Sequence, residues 1–177
     1  MDKSEFWRLI EVAKWEGGGE CDEQAQALHT LLSPLPPDEI VAFVRNFDEL
    51  SDAAYRWDLW GAAYLINGGA SDDGFQYFRW WLVGQGQTIY EGALASPDDL
   101  ADLLGDDLDW AEGDLECEAI AYAPMKTYEQ KTGQELIVTR PAGGPGEPAG
   151  KRWEEGELDD LYPKIAAKIE NATSGQK

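Results

Sequence analysis

A chain of 177 residues that is 43% hydrophobic is long and apolar enough to bury a core of its own, which sets it apart from disordered chains. Its 35 acidic against 14 basic residues give a formal net charge of -21, and this balance excludes the Lys/Arg patches by which proteins hold nucleic acid or anionic membrane. The same excess has two readings, a field that steers a basic protein partner toward the chain, or the general acidity of a high-charge or salt-adapted proteome.

Taken in chain order, Phe6, Trp7, Ile10 and Lys14 recur at helical spacing and predict a first helix from Lys3 to Trp15, stopped by Gly17-Gly18-Gly19. A second helix, Cys21 to Leu32, carries Ala25, Leu28, Leu31 and Leu32 on one side and ends at Ser33-Pro34-Leu35-Pro36-Pro37. His29 lies beside that face and reads as a surface or half-buried histidine. A single histidine makes neither a metal site nor a triad. The third helix starts on Pro37, whose φ suits a first turn, with Asp38 and Glu39 at the positive end of the dipole. Ile40, Phe43, Val44, Phe47, Leu50 and Ala54 form its apolar stripe, and Arg45, Asp48, Glu49 and Asp52 its solvated face.

Two helices follow, roughly Tyr55 to Ile66 and Asp72 to Gln85, joined by Asn67-Gly68-Gly69-Ala70-Ser71. Gly68 is suited to the left-handed conformation that ends a helix, Ser71 to the N-cap of the next, and Asp72 and Asp73 to its first turn. Four of the eight tryptophans fall between residues 55 and 82. Trp57, Trp60 and Tyr64 share one helical face and Phe75, Phe78 and Leu82 another, the pattern of a packed helical pair. Trp80 and Trp81 diverge by about a hundred degrees on a helix, so one of them is expected to be exposed or to cover Arg56 or Arg79.

Beyond this pair, Thr88 to Ala95 is predicted helical up to Pro97, and Asp98 to Leu104 begins a short helix. Residues 98–118 hold ten acidic residues and no basic one, which reads as a solvated segment with short helices. From Glu118 to Lys131 a helix is expected with Ile120, Tyr122, Met125 and Tyr128 on its apolar side. Pro141 to Gly150 reads as a linker or surface loop. Leu158, Leu161, Ile165 and Ile169 align on a last helix from Leu158 to Ile169, with Trp153 pinning the tail to the body. The expected architecture is all-α: a helical domain over 1–132, a Pro/Gly-rich loop over 133–152, and a C-terminal helical tail over 153–177.

The chemistry-bearing residues gather in the helical pair: Arg56, Trp57, Asp58, Trp60, Tyr64, Asn67, Asp72, Asp73 and Arg79 are the candidate binding residues. The three aspartates with the Asn67 amide have cation-site chemistry, but their spacing matches no EF-hand, and Asp72 and Asp73 already serve a helix dipole. Gly68, Gly69 and Gly74 lack the lysine of a phosphate loop, and there is no G-x-S-x-G elbow. No catalytic residue, metal ligand or cofactor is therefore assigned. Cys21 and Cys117 lie outside any C-x-x-C pattern, so neither a disulfide framework nor a zinc site is expected. The N-terminus lacks a secretory pattern and no apolar run is long enough to span a bilayer, which places the chain in the cytoplasm. In that compartment Asn171-Ala172-Thr173 is a chance match to the glycosylation pattern.

The run Arg56-Trp57-Asp58-Leu59-Trp60-Gly61-Ala62-Ala63-Tyr64-Leu65-Ile66-Asn67-Gly68-Gly69, followed by Ser71-Asp72-Asp73-Gly74-Phe75 and Tyr77-Phe78-Arg79, resembles the bacterial domain-of-unknown-function family 4240. Phe6-Trp7-x-x-Ile10 and the Leu-Pro-Pro-Asp-Glu-Ile start of the third helix resemble it too, and the similarity covers about the first 130 residues. Some members of that family are fused to WGR-type domains, so the resemblance implies at most a bacterial, intracellular interaction role and carries over no established activity. Two functions follow from the residues and the resemblance together. One is a non-enzymatic, acidic interaction module, immunity- or antitoxin-like, that meets a basic partner. The other is a small-ligand binder or enzyme with a pocket lined by the Arg56–Asp73 motif. Neither assigns an oligomeric state.

Overall fold

The computed structural model describes residues 1–105, 108–137 and 146–174. Those residues are helical, with no strand among them and one isolated β-bridge, between Arg56 and Ala149. The helices are α1 (Lys3–Gly17), α2 (Cys21–Leu32), α3 (Pro37–Ala53), α4 (Trp57–Ile66), α5 (Asp72–Gly84), α6 (Gln87–Ala95), α7 (Leu100–Leu104), α8 (Ala119–Thr132), α9 (Leu158–Leu161) and α10 (Pro163–Ser174). Short 3₁₀ turns precede α7 and α9. The all-α expectation holds, and so does each local punctuation mark read around the central pair. Gly68 sits at φ 65, where a side chain would be strained, and the Ser71 hydroxyl accepts from the Gly74 N–H at 3.1 Å.

Helices α1, α2, α3 and α8 pack on one side, with α2 held between α1 and α8. On the other side α4 meets α9 and α10, and α6 meets α7, while α5 runs through the middle and touches α1, α3, α4, α6 and α8. Phe6, Ile10, Leu28, Phe43, Leu59, Phe75, Phe78, Leu82, Leu100 and Ile120 are fully buried in the shared core. Each such side chain contributes about 1.5–3 kcal/mol of transfer free energy. Polar links run between the layers: Gln24, itself buried, donates to the Gly84 carbonyl at 2.7 Å, tying α2 to the end of α5. His29 is half-buried, and its Nδ1 lies 2.6 Å from Thr127 Oγ1 on α8.

Four expectations need correction. Cys21 and Cys117 form a disulfide, with Cα atoms 5.5 Å apart and a separation of 96 positions in sequence. Folding sets the start of α2 beside the segment that leads into α8, a proximity that cysteine spacing alone does not carry. The single C-terminal helix is two: at Tyr162 the backbone leaves the helical region (φ -127, ψ 62), because Pro163 disfavours a helical residue before it and opens α10 instead. In α8 the inward residues are Ile120, Ala121, Ala123, Pro124 and Thr127, whereas Tyr122 is 50% exposed. Finally, the first part of the acidic segment is more than a solvated run. The Asp98 carboxylate accepts from the Lys164 and Ile165 N–H groups at 3.0 Å, capping α10, and Lys164 Nζ donates to Asp99 and Asp102 at 2.7 and 2.6 Å.

Of the Pro/Gly loop expected at 141–150, residues 141–145 lie outside the described residues. Gly146 to Gly150 leads the chain back to α4, where Ala149 pairs with the backbone of Tyr55 and Trp57.

Closing a loop of this length restricts the unfolded chain, so opening the disulfide is expected to remove about 2–4 kcal/mol of stability. Urea unfolding of Cys21→Ser/Cys117→Ser should show that loss, and reductant should bring the wild type to the same midpoint. Equal midpoints for the wild type with and without reductant would mean that the bond contributes nothing.

Candidate functional site

The candidate residues cluster where α4 begins. Arg56 is extended (φ -137, ψ 143) and its neighbours pair with the returning chain: the Trp57 N–H donates to the Ala149 carbonyl at 2.8 Å and the Ala149 N–H to the Tyr55 carbonyl at 2.9 Å. The Arg56 guanidinium forks onto both Asp58 oxygens, Nε to Oδ1 at 3.0 Å and Nη2 to Oδ2, while Nη1 donates to the Leu94 carbonyl at 2.9 Å. Asp58 Oδ1 also accepts the Leu59 N–H at 2.8 Å. The ion pair therefore closes the first turn of α4 and fastens it to the end of α6.

From this corner a column of rings runs inward. Trp57 stacks on Trp60 (centroids 5.2 Å, planes 8° apart), Trp60 on Phe75 (4.8 Å, 12°), and Phe75 on Phe78 (6.1 Å, 21°). The indole N–H groups are spent on backbone: Trp60 Nε1 donates to the Ala70 carbonyl at 3.0 Å, and Trp153 Nε1 to the Trp57 carbonyl at 2.8 Å. Trp153 meets Trp57 edge-on at 6.2 Å and Tyr64 at 5.1 Å, and the Arg152 guanidinium lies 5.2 Å from the Trp57 ring. Trp153 thus pins the C-terminal segment to α4. Tyr162 adds a second pin, donating its hydroxyl to the Asp58 carbonyl at 2.7 Å. A Cβ at Gly61 would stand 2.5 Å from that hydroxyl, so the ring's seat requires glycine.

The remaining candidates lie elsewhere. Arg79 is 4% exposed, donates to the Ser51 carbonyl at 2.8 Å and to Gln76 Oε1 at 2.7 Å, and lies over the Tyr55 and Phe75 rings at 4.7 and 5.4 Å. The rings under Arg79 are thus Tyr55 and Phe75, while Trp80 and Trp81 are both half-buried. Asn67 Oδ1 accepts the Leu115 N–H at 3.1 Å and so anchors the acidic segment. Asp72 and Asp73 stand exposed in the first turn of α5. The structure brings Arg56 to Asp58 and joins Trp57, Trp60 and Tyr64 through Trp153. It leaves Arg79, Asn67 and the two α5 aspartates at separate places.

A second grouping is one that the sequence reading missed. Tyr77 packs on Trp80 (5.6 Å), and Trp80 meets the exposed Tyr122 edge-on (6.0 Å). The Tyr77 phenol is held above its ordinary pKa first by a hydrogen bond to Glu118, then by desolvation and by the charges of Glu118 and Asp73. Tyr77 and Trp80, three apart on α5, were the available signal; Tyr122 was read onto the inner face of α8 and so was not joined to them. Neighbouring Glu116 is pushed up by partial burial and by Asp114. Among the described residues no group of three or more His, Cys, Asp or Glu side chains is placed to hold a metal ion.

The family model described as "Protein of unknown function (DUF4240)" matches residues 1–130. No curated protein and no solved structure matches the chain. The matched stretch includes the whole Arg56–Asp73 motif, and the segment that covers the motif, residues 146–162, lies beyond it.

Two predictions separate holding the fold from serving a ligand. Asp58→Ala should cost about 1–2 kcal/mol, since it removes the clamp on Arg56, whereas Asp72→Ala should cost about 0.5 kcal/mol, the value of a charge at a helix N-terminus. Urea midpoints of the two variants check the order. The second concerns alkaline pH. Burial raises the phenols of Tyr90 and Tyr162 from 10.0 to about 12. Because the folded values lie above the unfolded one, the stability tied to the protonated phenols is complete below pH 10 and falls as the pH climbs toward 12. Urea midpoints measured across that window should fall more steeply for the wild type than for Tyr90→Phe/Tyr162→Phe.

Proposed function

We propose that this chain, which belongs to the DUF4240 family, is a non-enzymatic interaction module that receives a basic protein segment on an acidic face carrying aromatic rings. The observation that supports this most is the row Tyr77, Trp80 and Tyr122, with Tyr122 half exposed and the carboxylates of Glu118 and Asp73 beside it. Rings offer Lys and Arg their π faces and carboxylates offer ion pairs, so a basic segment gains from both at once. A net charge of -21 adds long-range attraction for such a partner. The narrowest form of the reading is an immunity- or antitoxin-like protein whose partner is a basic toxin.

A pocket at the Arg56–Asp73 motif has less support, because the Arg56 and Asp58 tips are engaged with each other and with backbone, and Trp153 and Tyr162 cover the helix that bears them. We place the protein in the cytoplasm; among the described residues no helix is long and apolar enough to cross a membrane. In a reducing compartment the Cys21–Cys117 pair would be held largely as thiols, and in an oxidising one as the disulfide.

A lysine- and arginine-rich peptide tests the reading. Its affinity, measured by calorimetry, is expected to fall at least about tenfold between low salt and about 0.3 M salt. Tyr122→Ala with Glu118→Gln should weaken binding by a similar factor at low salt while leaving the helical circular dichroism unchanged. Binding that ignores salt, or that survives both substitutions, would overturn the assignment.

A further inference from the structure

An open cavity of about 830 Å³ lies between the end of α1, the α5–α6 junction, α7 and the acidic segment, and none of the candidate motif residues lines it. Its volume falls within the range of about 300–1,000 Å³ common for small-molecule sites. The apolar wall comes from Trp81, Ile89, Leu104 and Leu108. Trp15 stands at its edge, 82% exposed, a large ring that the chain itself leaves uncovered.

The polar wall is acidic: among the described residues Glu11, Glu20 and Asp114 line the cavity against a single lining cation, Lys14. Lys14 is committed, donating its ammonium to the Gln85 carbonyl at 3.2 Å beside Glu11. Glu20 and Asp114 are therefore left as the carboxylates that an incoming group meets. Glu20 immediately precedes Cys21 and Asp114 lies three residues before Cys117, so the two carboxylates stand on the segments that meet at this cysteine pair. Carboxylates facing indole rings across an apolar hollow attract one kind of small molecule, a cation on an apolar body.

We propose that this cavity is a binding site for a small organic cation, a primary or quaternary amine carried on an aromatic or alkyl group. The apolar body rests on Trp81 and Leu108, the ammonium faces Glu20 and Asp114, and the Trp15 ring closes over it.

Three isosteric probes test it: phenylbutylamine, phenylbutanol and phenylbutyrate, each titrated by calorimetry and by tryptophan fluorescence. The amine is expected to bind at least about tenfold more tightly than the alcohol, with the carboxylate weakest. Glu20→Gln/Asp114→Asn should reduce amine affinity toward that of the alcohol, and Trp15→Ala should weaken the amine about threefold or more. Because any cation feels the overall negative field, Glu49→Gln/Asp52→Asn on the exposed side of α3 is the control, and it should leave the amine unchanged. The proposal is overturned if the three probes bind alike, if the amine fails to bind at about 10 mM, or if the α3 pair weakens it as much as the cavity pair. None of these readouts involves the basic peptide, so the interaction reading stands or falls separately.

Discussion

Residues 55–61 are where the separate parts of this molecule are tied to one another. In that short stretch, Tyr55 and Trp57 pair with Ala149, Arg56 reaches the end of α6, Trp57 accepts Trp153, Asp58 accepts Tyr162, and Gly61 makes room for the same tyrosine. Four backbone groups at the start of α4 are involved: the Trp57 N–H, which the helix itself leaves without a partner, and the carbonyls of Tyr55, Trp57 and Asp58. Here they are met by chain from distant positions, which ties α4 to the C-terminal segment, as the Arg56 guanidinium ties it to α6. The polar tips of Arg56 and Asp58 are engaged at this junction with each other and with backbone.

Charge is the second constraint. An acidic excess this large destabilises a compact chain through self-repulsion, and the few cations are placed where they relieve it most. Lys164 takes Asp99 and Asp102, the amino terminus takes Glu39 at 2.9 Å, and Lys131 donates to the Ser33 carbonyl at the end of α2. Lys164 is held well above its ordinary pKa by its hydrogen bonds to Asp102 and Asp99. The exposed carboxylates of Asp72, Asp73, Asp109, Glu112 and Glu118 are not drawn into these pairs.

Local signals were legible in the residues and distant ones were not. The starts of α2, α3 and α5, the Gly68 turn and the Ser71 cap each depend on neighbours a few positions away, and the bonds that form them are short in sequence. Pro163 was equally local but lay inside a Leu/Ile rhythm that favoured one continuous helix. Tyr122 misled for a different reason: α8 is lined inward by small residues, Ala121 and Ala123, with Pro124 and Thr127, so its largest ring was read onto the wrong face. The Cys21–Cys117 bond, the Asp98 cap on α10 and the Arg79 seat in the core all join residues whose proximity exists only once the chain has folded. The candidate residues comprise an ion pair, an aromatic column and a helix dipole, which share a sequence neighbourhood and take separate places in the fold.

The adjacency of Trp80 and Trp81 shows what that neighbourhood does encode. Consecutive residues on a helix point about a hundred degrees apart, so both cannot serve the same surface. Trp80 turns toward Tyr77 and Tyr122, while Trp81 packs on Phe78 and lines the cavity. α5 is thereby a shared wall between an acidic ring-bearing face and an acidic hollow. The disulfide stands at the same boundary, with Asp114 before Cys117 on the cavity side and Glu118 after it beside Tyr77. The 114–118 segment thus carries a carboxylate of each surface, Asp114 at the cavity and Glu118 beside Tyr77.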